Sequence, residues 1–236
     1  MKKLPIDIIS ASCINPVDSL KTLDYCSSFF EFNNSILFTD SEIKSTNHQI
    51  VNIDKFQSID DYSNFILKLG KYIESSHVLI VQDDGHIVNK DIWSDDFLDY
   101  DYIGAPWPSS KKFIKRWSDK KYGDTIQNIK LNRVGNGGFS LRSKNFLNYS
   151  SQFEDTGGIA EDIFLCLINY QKALSEEIKF APFDIAIKFS YEVPLKGFNK
   201  SNEAKNKTYN LNNHFGWHGK RFLNSDKLMK LKFNKS

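Results

Sequence analysis

The sequence predicts an α/β fold, one domain with a mostly parallel central sheet flanked by helices, and three observations lead there. Short apolar runs bounded by turn residues recur along the first ninety or so residues, and stretches of helical periodicity separate them. The length of 236 residues suits one large domain whose core needs no disulfide or metal staple. Strands alternating with helices at such intervals imply parallel neighbours covered on both faces.

The elements follow in order. Residues 6–11 read as the first strand, 16–30 as a helical stretch, 35–39 as a second apolar strand ending at Asp40, and 49–53 as a third. Asp60 and Asp61 then open an amphipathic helix in which Tyr62, Phe65, Ile66, Leu69, Tyr72 and Ile73 keep helical spacing. It feeds a buried strand, Val-Leu-Ile-Val, at 78–81. Beyond it the repeating pattern stops, and Trp93, Phe97, Tyr100, Tyr102, Trp107, Phe113 and Trp117 crowd a segment rich in Asp, Pro and Lys. Gly135, Gly137 and Gly138 precede a short strand and a helix from Ser143, and Glu161 and Asp162 open another helix. Residues 197–213 are polar, without apolar period, and read as a mobile loop ahead of His214-Phe-Gly-Trp-His-Gly. No repeat or linker cuts the chain. Residues 1–236 are therefore read as one domain ending in a basic tail at 221–236.

Composition excludes some partners. Lys and Arg total 31 against 29 Asp and Glu, and a net charge of +2 gives no global argument for nucleic acid. In the tail, Lys227, Lys230, Lys232 and Lys235 alternate with Leu228, Met229, Leu231 and Phe233, which suits either a frayed solvated helix or weak contact with an anionic membrane surface. Cys13, Cys26 and Cys166 are odd in number and widely spaced, fitting a reduced compartment with each thiol a small core residue. The amino terminus superficially resembles a lipoprotein signal ending at Cys13, but Pro5 and Asp7 interrupt an apolar stretch already too short for one. No run approaches the roughly 20 apolar residues of a membrane span, so a soluble, cytoplasmic protein is expected.

The chemistry concentrates at strand and helix ends. Asp83, Asp84 and Gly85 follow the 78–81 strand at the edge where ligands of open α/β sheets collect, and carboxylate oxygens suit hard cations such as Mg²⁺ or Mn²⁺. The same residues also make a common turn. Gly-Asn-Gly-Gly at 135–138 fits neither the dinucleotide fingerprint nor a Walker loop; its glycines allow close approach to a bound sugar or metal complex, or a positive φ. Glu161 and Asp162 hold first-turn positions where acids are favourable anyway, and where one of them is placed to accept a proton from a hydroxyl. His218, flanked by Trp217 and Gly219 after the polar loop, is a candidate imidazole ligand beside Asp84, with His214 as its competitor.

In order and spacing, Gln82-Asp-Asp84, Asp101-Tyr-Ile-Gly-Ala-Pro-Trp107, Gly135 to Arg142, Glu161-Asp162 and Phe215-Gly-Trp-His218 resemble the glycosyltransferase-A superfamily. More narrowly they resemble a family of small glycosyltransferase-like proteins of unassigned function, over roughly residues 5–220. The resemblance implies a Rossmann-like GT-A domain over 1–236, with a donor half over about 1–90 and an acceptor half over about 91–220, and a metal-dependent, inverting hexosyl- or deoxyhexosyltransferase of surface glycan or polysaccharide assembly. Its donor would be a nucleotide-diphosphate sugar, a UDP-linked one foremost, and its acceptor a glycan hydroxyl. It implies Mn²⁺ or Mg²⁺ on Asp84 and His218, Asp162 as the base, and Glu161 as an acceptor contact. It also implies Ser10, Ala11 and Asp40 in the uracil and ribose pocket, Gln82 and Asp83 beside the donor, and Gly137 and Gly138 against it. Gln82 stands where the superfamily places the first acid of Asp-x-Asp. That departure keeps open a non-catalytic nucleotide-sugar or glycan-binding module, while the Asp83-Asp84 pair keeps open a metal-dependent phosphohydrolase. Trp107, Trp117 and Tyr102 are candidates to stack on an acceptor sugar, with Tyr102 and Phe97 better suited to the core.

Overall fold

A computed structural model describes residues 1–107, 134–192 and 213–219. The strands are β1 (Lys2–Leu4), β2 (Asp7–Ala11), β3 (Phe30–Phe32), β4 (Ser35–Thr39), β5 (Gln49–Asn52), β6 (His77–Val81), β7 (Gly85–Ile87), β8 (Tyr102–Ile103), β9 (Phe139–Ser143), β10 (Ser190–Tyr191) and β11 (Gly216–His218). The α-helices are α1 (Pro16–Ser27), α2 (Ile59–Leu67), α3 (Lys144–Ser151), α4 (Glu161–Ile163), α5 (Tyr170–Ser175) and α6 (Phe183–Phe189).

The main sheet has the order β5-β4-β2-β6-β9-β8. β2, β4, β5 and β6 are mutually parallel, β9 runs against β6, and β8 runs against β9. The mostly parallel sheet expected from the sequence is therefore present, with one reversed strand. Its central strands β2, β4 and β6 carry apolar runs because both faces are covered. Ile8, Leu37, Leu79 and Val81 pack with Leu23 and Cys26 of α1, whereas Ile9, Ala11, Ile36, Phe38, Val78 and Ile80 pack with Tyr62 and Ile66 of α2 and Leu147 of α3.

Local chemistry sets the helix starts. Pro16 opens α1, where its missing N–H costs nothing. Ser58 and Asp61 form a reciprocal capping box on α2, each side chain accepting the other's backbone N–H. Ser143 caps α3 through Phe146 N. The helix expected to reach Ile73 ends at Leu67 and continues as a 3₁₀ turn, Leu69–Tyr72. There Leu147 of α3 packs so close that a Cβ at Gly70 would lie 3.2 Å from it. A π-helical turn, Phe164–Ile168, follows α4.

A second sheet, β10-β11-β7, positions the site. β11 pairs antiparallel to β7 with His218 opposite Gly85, and parallel to β10 with Trp217 opposite Tyr191. Phe113, Trp117, residues 197–212 and the basic tail lie outside the described residues. Among the described residues no helix is long and apolar enough to cross a membrane. Cys13, Cys26 and Cys166 form no disulfide; Cys26 and Cys166 are buried as expected, but Cys13 is partly exposed on a cavity wall rather than in the core.

Candidate active site

β6 ends in the turn Gln82-Asp-Asp-Gly, closed by Gly85 N donating to the Gln82 carbonyl at 2.9 Å. The two acids of that turn part company. Asp83 Oδ2 accepts from Asn15 Nδ2 at 3.1 Å on the α1 side, whereas Asp84 Oδ1 lies 3.3 Å from His218 Nε2. Gly219 N donates to the Asp84 carbonyl at 3.0 Å and completes the link between β7 and β11.

His218 is the hub. Nε2 is also 3.1 Å from Gln82 Oε1, while Nδ1 faces Asn136 Nδ2 at 2.9 Å and Glu192 Oε1 at 3.5 Å. Burial lowers its pKa, but the Asp84 and Glu192 carboxylates outweigh that and push it up to about 10. The Asn136 amide works the other way. Its Oδ1 accepts from Gly138 N at 2.9 Å, which turns its NH₂ toward Nδ1 and favours a bare nitrogen there. In the neutral form of the ring, Nδ1 accepts from Asn136 and Nε2 carries the proton toward Gln82 and Asp84, the proton that a cation on Nε2 would replace.

The glycines serve the protein's own side chains. A Cβ at Gly138 would collide with the His218 imidazole, and one at Gly137 with the Glu161 carboxylate. The close approach expected for a bound sugar is taken by these two residues instead. Positive φ in this loop belongs to Asn136, at 63°, a residue that tolerates the left-handed region.

Glu161 departs from its expected place as an acceptor contact. It is 4% exposed, and its Oε1 takes Arg142 Nη2 at 2.6 Å, with the guanidinium itself 1% exposed. A buried charge needs such a partner. Asp162, next along α4, is half-buried, and Oδ2 accepts from Gly137 N at 3.2 Å. Burial and then the Glu161 charge raise its pKa to about 7.

A cavity of about 330 Å³ opens at the carboxyl ends of β2 and β6, lined by Ala11, Asn15, Phe56, Tyr62, Gln82 and Asp83 among others. Ala11, Gln82 and Asp83 thus line one cavity. Ser10 is not: alternation along β2 turns it to the opposite face, where it is fully buried. Asp40 is also absent from the lining, and its Oδ1 is buried without a hydrogen-bond partner. His214 is no competitor for Asp84, since it is buried and its Nδ1 lies 2.6 Å from the Ile187 carbonyl. Trp107 is unavailable for sugar stacking, being 4% exposed with its ring against Gly135. Tyr102 and Phe97 are core residues. Asn15, Tyr62, Asn136, Arg142 and Glu192 are site residues to which sequence reasoning gave no site role; Asn136 and Arg142 lie in the Gly135 to Arg142 motif, which was the signal that pointed to them.

Among the described residues no three His, Cys, Asp or Glu side chains cluster to hold a metal. The amide oxygen of Gln82 and the Asp84 carboxylate both lie within reach of His218 Nε2, and such an oxygen and nitrogen set would suit Mn²⁺ or Mg²⁺.

Residues 45–208 match a family described as protein of unknown function, DUF5672. No curated protein matches the chain. Among solved structures, galactosyltransferase LgtC in complex with donor and acceptor sugar analogs superposes with a TM-score of 0.54 at 14% identity, over 97% of this chain and 96% of that one. An active-site mutant of LgtC gives 0.52 at 15% identity, over 96% and 95%. Glucosyl-3-phosphoglycerate synthase from Mycobacterium tuberculosis gives 0.48 at 8% identity, over 79% and 76%. The fold is that of the GT-A glycosyltransferases.

Proposed function

The chain belongs to the DUF5672 family and has the GT-A fold, and from that premise we propose that it is a metal-dependent glycosyltransferase moving a sugar from a nucleotide-diphosphate donor, a uridine one foremost, to an acceptor hydroxyl with inversion. The observation that supports this reading best is the convergence of Gln82 Oε1, Asp84 Oδ1 and His218 Nε2 beside the 330 Å³ cavity. Its lining holds no Lys or Arg among the described residues, which suits the neutral nucleoside and leaves the diphosphate to the Asp84–His218 end.

Asp84, His218 and Gln82 would hold Mn²⁺ or Mg²⁺, which when bound neutralises charge building on a leaving diphosphate. Asp83 and Asn15 hold each other at the cavity wall, where a ribose would sit. Asp162 is the base. Its pKa near 7 suits proton transfer at neutral pH. It takes the proton from the acceptor hydroxyl as that oxygen bonds to the anomeric carbon, and the anomeric carbon–phosphate oxygen bond breaks with its electron pair leaving on the diphosphate. Glu161, paired with Arg142 and packed against Gly137, does not meet the acceptor.

Gln82 also supports a second reading, a nucleotide-sugar-binding module without turnover. The phosphohydrolase reading loses its basis, because Asp83 and Asp84 face different partners. A thermal-shift screen of nucleotide sugars with and without Mn²⁺, on wild type and Asp84→Ala, tests the donor site. Stabilisation by one nucleotide family that requires both metal and Asp84, with nucleoside diphosphate released only when acceptor is supplied, is the expected result. No stabilisation by any nucleotide sugar overturns the reading, and binding without release selects the second.

A further inference from the structure

A carboxylate offers the same atom at both ends; an amide does not. Where Gln82 replaces an acid, one of its two ends presents oxygen to Asp84 and His218, and the other presents NH₂. The reading that a divalent cation sits on Gln82, Asp84 and His218 therefore requires something to fix the orientation of this amide.

Tyr62 does this. From α2 its hydroxyl accepts Gln82 Nε2–H at 2.9 Å, while Oε1 at the opposite end of the amide lies 3.1 Å from His218 Nε2. Tyr62 is itself held rigidly. It is 9% exposed, its ring meets Phe56 edge-on, and it sits on the first turn of a helix whose start is fixed by the Ser58–Asp61 capping box. It also lines the cavity proposed for the nucleoside. The same hydroxyl thus borders the donor pocket and sets the one amide whose orientation decides whether the cation position has three oxygen or nitrogen donors or two.

We infer that Tyr62 is a positioning residue for the cation site, acting through Gln82 by holding its amide with Oε1 toward Asp84 and His218. The inference rests on the metal-site reading above, and it explains how the chain tolerates a neutral side chain at the first position of the Gln-x-Asp motif. The partner of a metal ligand commonly changes metal affinity by roughly 10- to 100-fold when removed.

The test is direct Mn²⁺ titration of the apo protein by electron paramagnetic resonance, with no donor and no turnover. Tyr62→Phe keeps the ring and removes only the hydroxyl, and it should weaken Mn²⁺ binding roughly tenfold. The same substitution in a Gln82→Glu background should change binding less than about threefold, because either carboxylate oxygen can then face the site. A merely structural Tyr62 predicts equal losses in both backgrounds, and that outcome overturns the inference, as does wild-type affinity in Tyr62→Phe alone. Asp84→Ala separates the two levels. If it abolishes Mn²⁺ binding while Tyr62→Phe does nothing, the site stands and the role of Tyr62 falls. If Asp84→Ala binds Mn²⁺ like wild type, the site reading falls and this inference with it. Thermal midpoints of all variants, measured without metal, show that each is folded.

Discussion

His218 Nε2 stands 3.3 Å from Asp84 Oδ1 because two three-residue strands pair antiparallel, with His218 opposite Gly85. Nothing in either local sequence brings them together; the register does. The imidazole also needs a glycine beneath it, since any Cβ at position 138 would occupy its place.

Gly138→Ala should therefore displace His218 while leaving the sheet intact. The expected cost of overpacking is about 1–3 kcal/mol of stability. Stabilisation by Mn²⁺ should disappear as it does in His218→Ala. Retained Mn²⁺ stabilisation in Gly138→Ala, seen by thermal shift, would show that the ring is not a ligand.

Arg142 and Glu161 make a buried ion pair, and such a pair is asymmetric in its energetics. Glu161→Gln leaves an uncompensated guanidinium in the core and should cost about 3–5 kcal/mol. The double replacement Arg142→Met with Glu161→Leu should recover most of that loss, because neither charge is then stranded. Urea denaturation of the three proteins checks the order.

Asp162 links stability to pH with a defined sign. Burial, then the charge on Glu161, holds its carboxyl near 7 in the folded protein against about 3.9 when unfolded. The folded state binds the proton more tightly, so the stabilising share is full below about pH 4, falls as pH rises, and is gone above about 7. Asp162→Asn should thus gain about 1–2 kcal/mol at pH 8, a figure discounted for partial exposure, and almost nothing at pH 4. Under the transferase reading kcat/KM rises through pH 7 in the wild type, and the substitution lowers kcat by about 10²- to 10⁴-fold. A kcat within threefold of wild type removes Asp162 from the role of base.

The donor side of the fold was legible because its signals are local. The apolar runs of β2, β4 and β6 and the helical spacing of α2 behind Asp60 and Asp61 mark themselves over five to nine residues each. Asp84, Gln82 and His218 were found through their motifs, and the structure does bring them together. Glu192 was not legible, since it reaches His218 only through the two-residue pairing of β10 with β11. Glu161 misled because a first-turn acid looks the same in sequence whether it faces solvent or, as here, a buried arginine from another element. Ser10 and Ala11 are neighbours in sequence, but pleating sends them to opposite faces, and only Ala11 reaches the cavity.

That last distinction gives a variant that separates nucleoside binding from metal binding. Ala11 lies on the cavity wall and is 7% exposed, so Ala11→Leu projects three extra carbons into a void of about 330 Å³ instead of into packed core. The fold should tolerate it, with a change in stability under about 1.5 kcal/mol. Stabilisation by nucleotide sugar should fall by at least tenfold in apparent affinity, a loss of about 1.4 kcal/mol, because the added side chain takes the volume the nucleoside needs. Mn²⁺ affinity should stay at the wild-type value, since neither Gln82, Asp84 nor His218 is moved. Ser10→Ala, on the other face of the same strand, should leave both affinities unchanged. If Ala11→Leu binds nucleotide sugar like wild type while Asp84→Ala does not, the donor lies elsewhere along the Asp84–His218 edge and this cavity is not its nucleoside pocket.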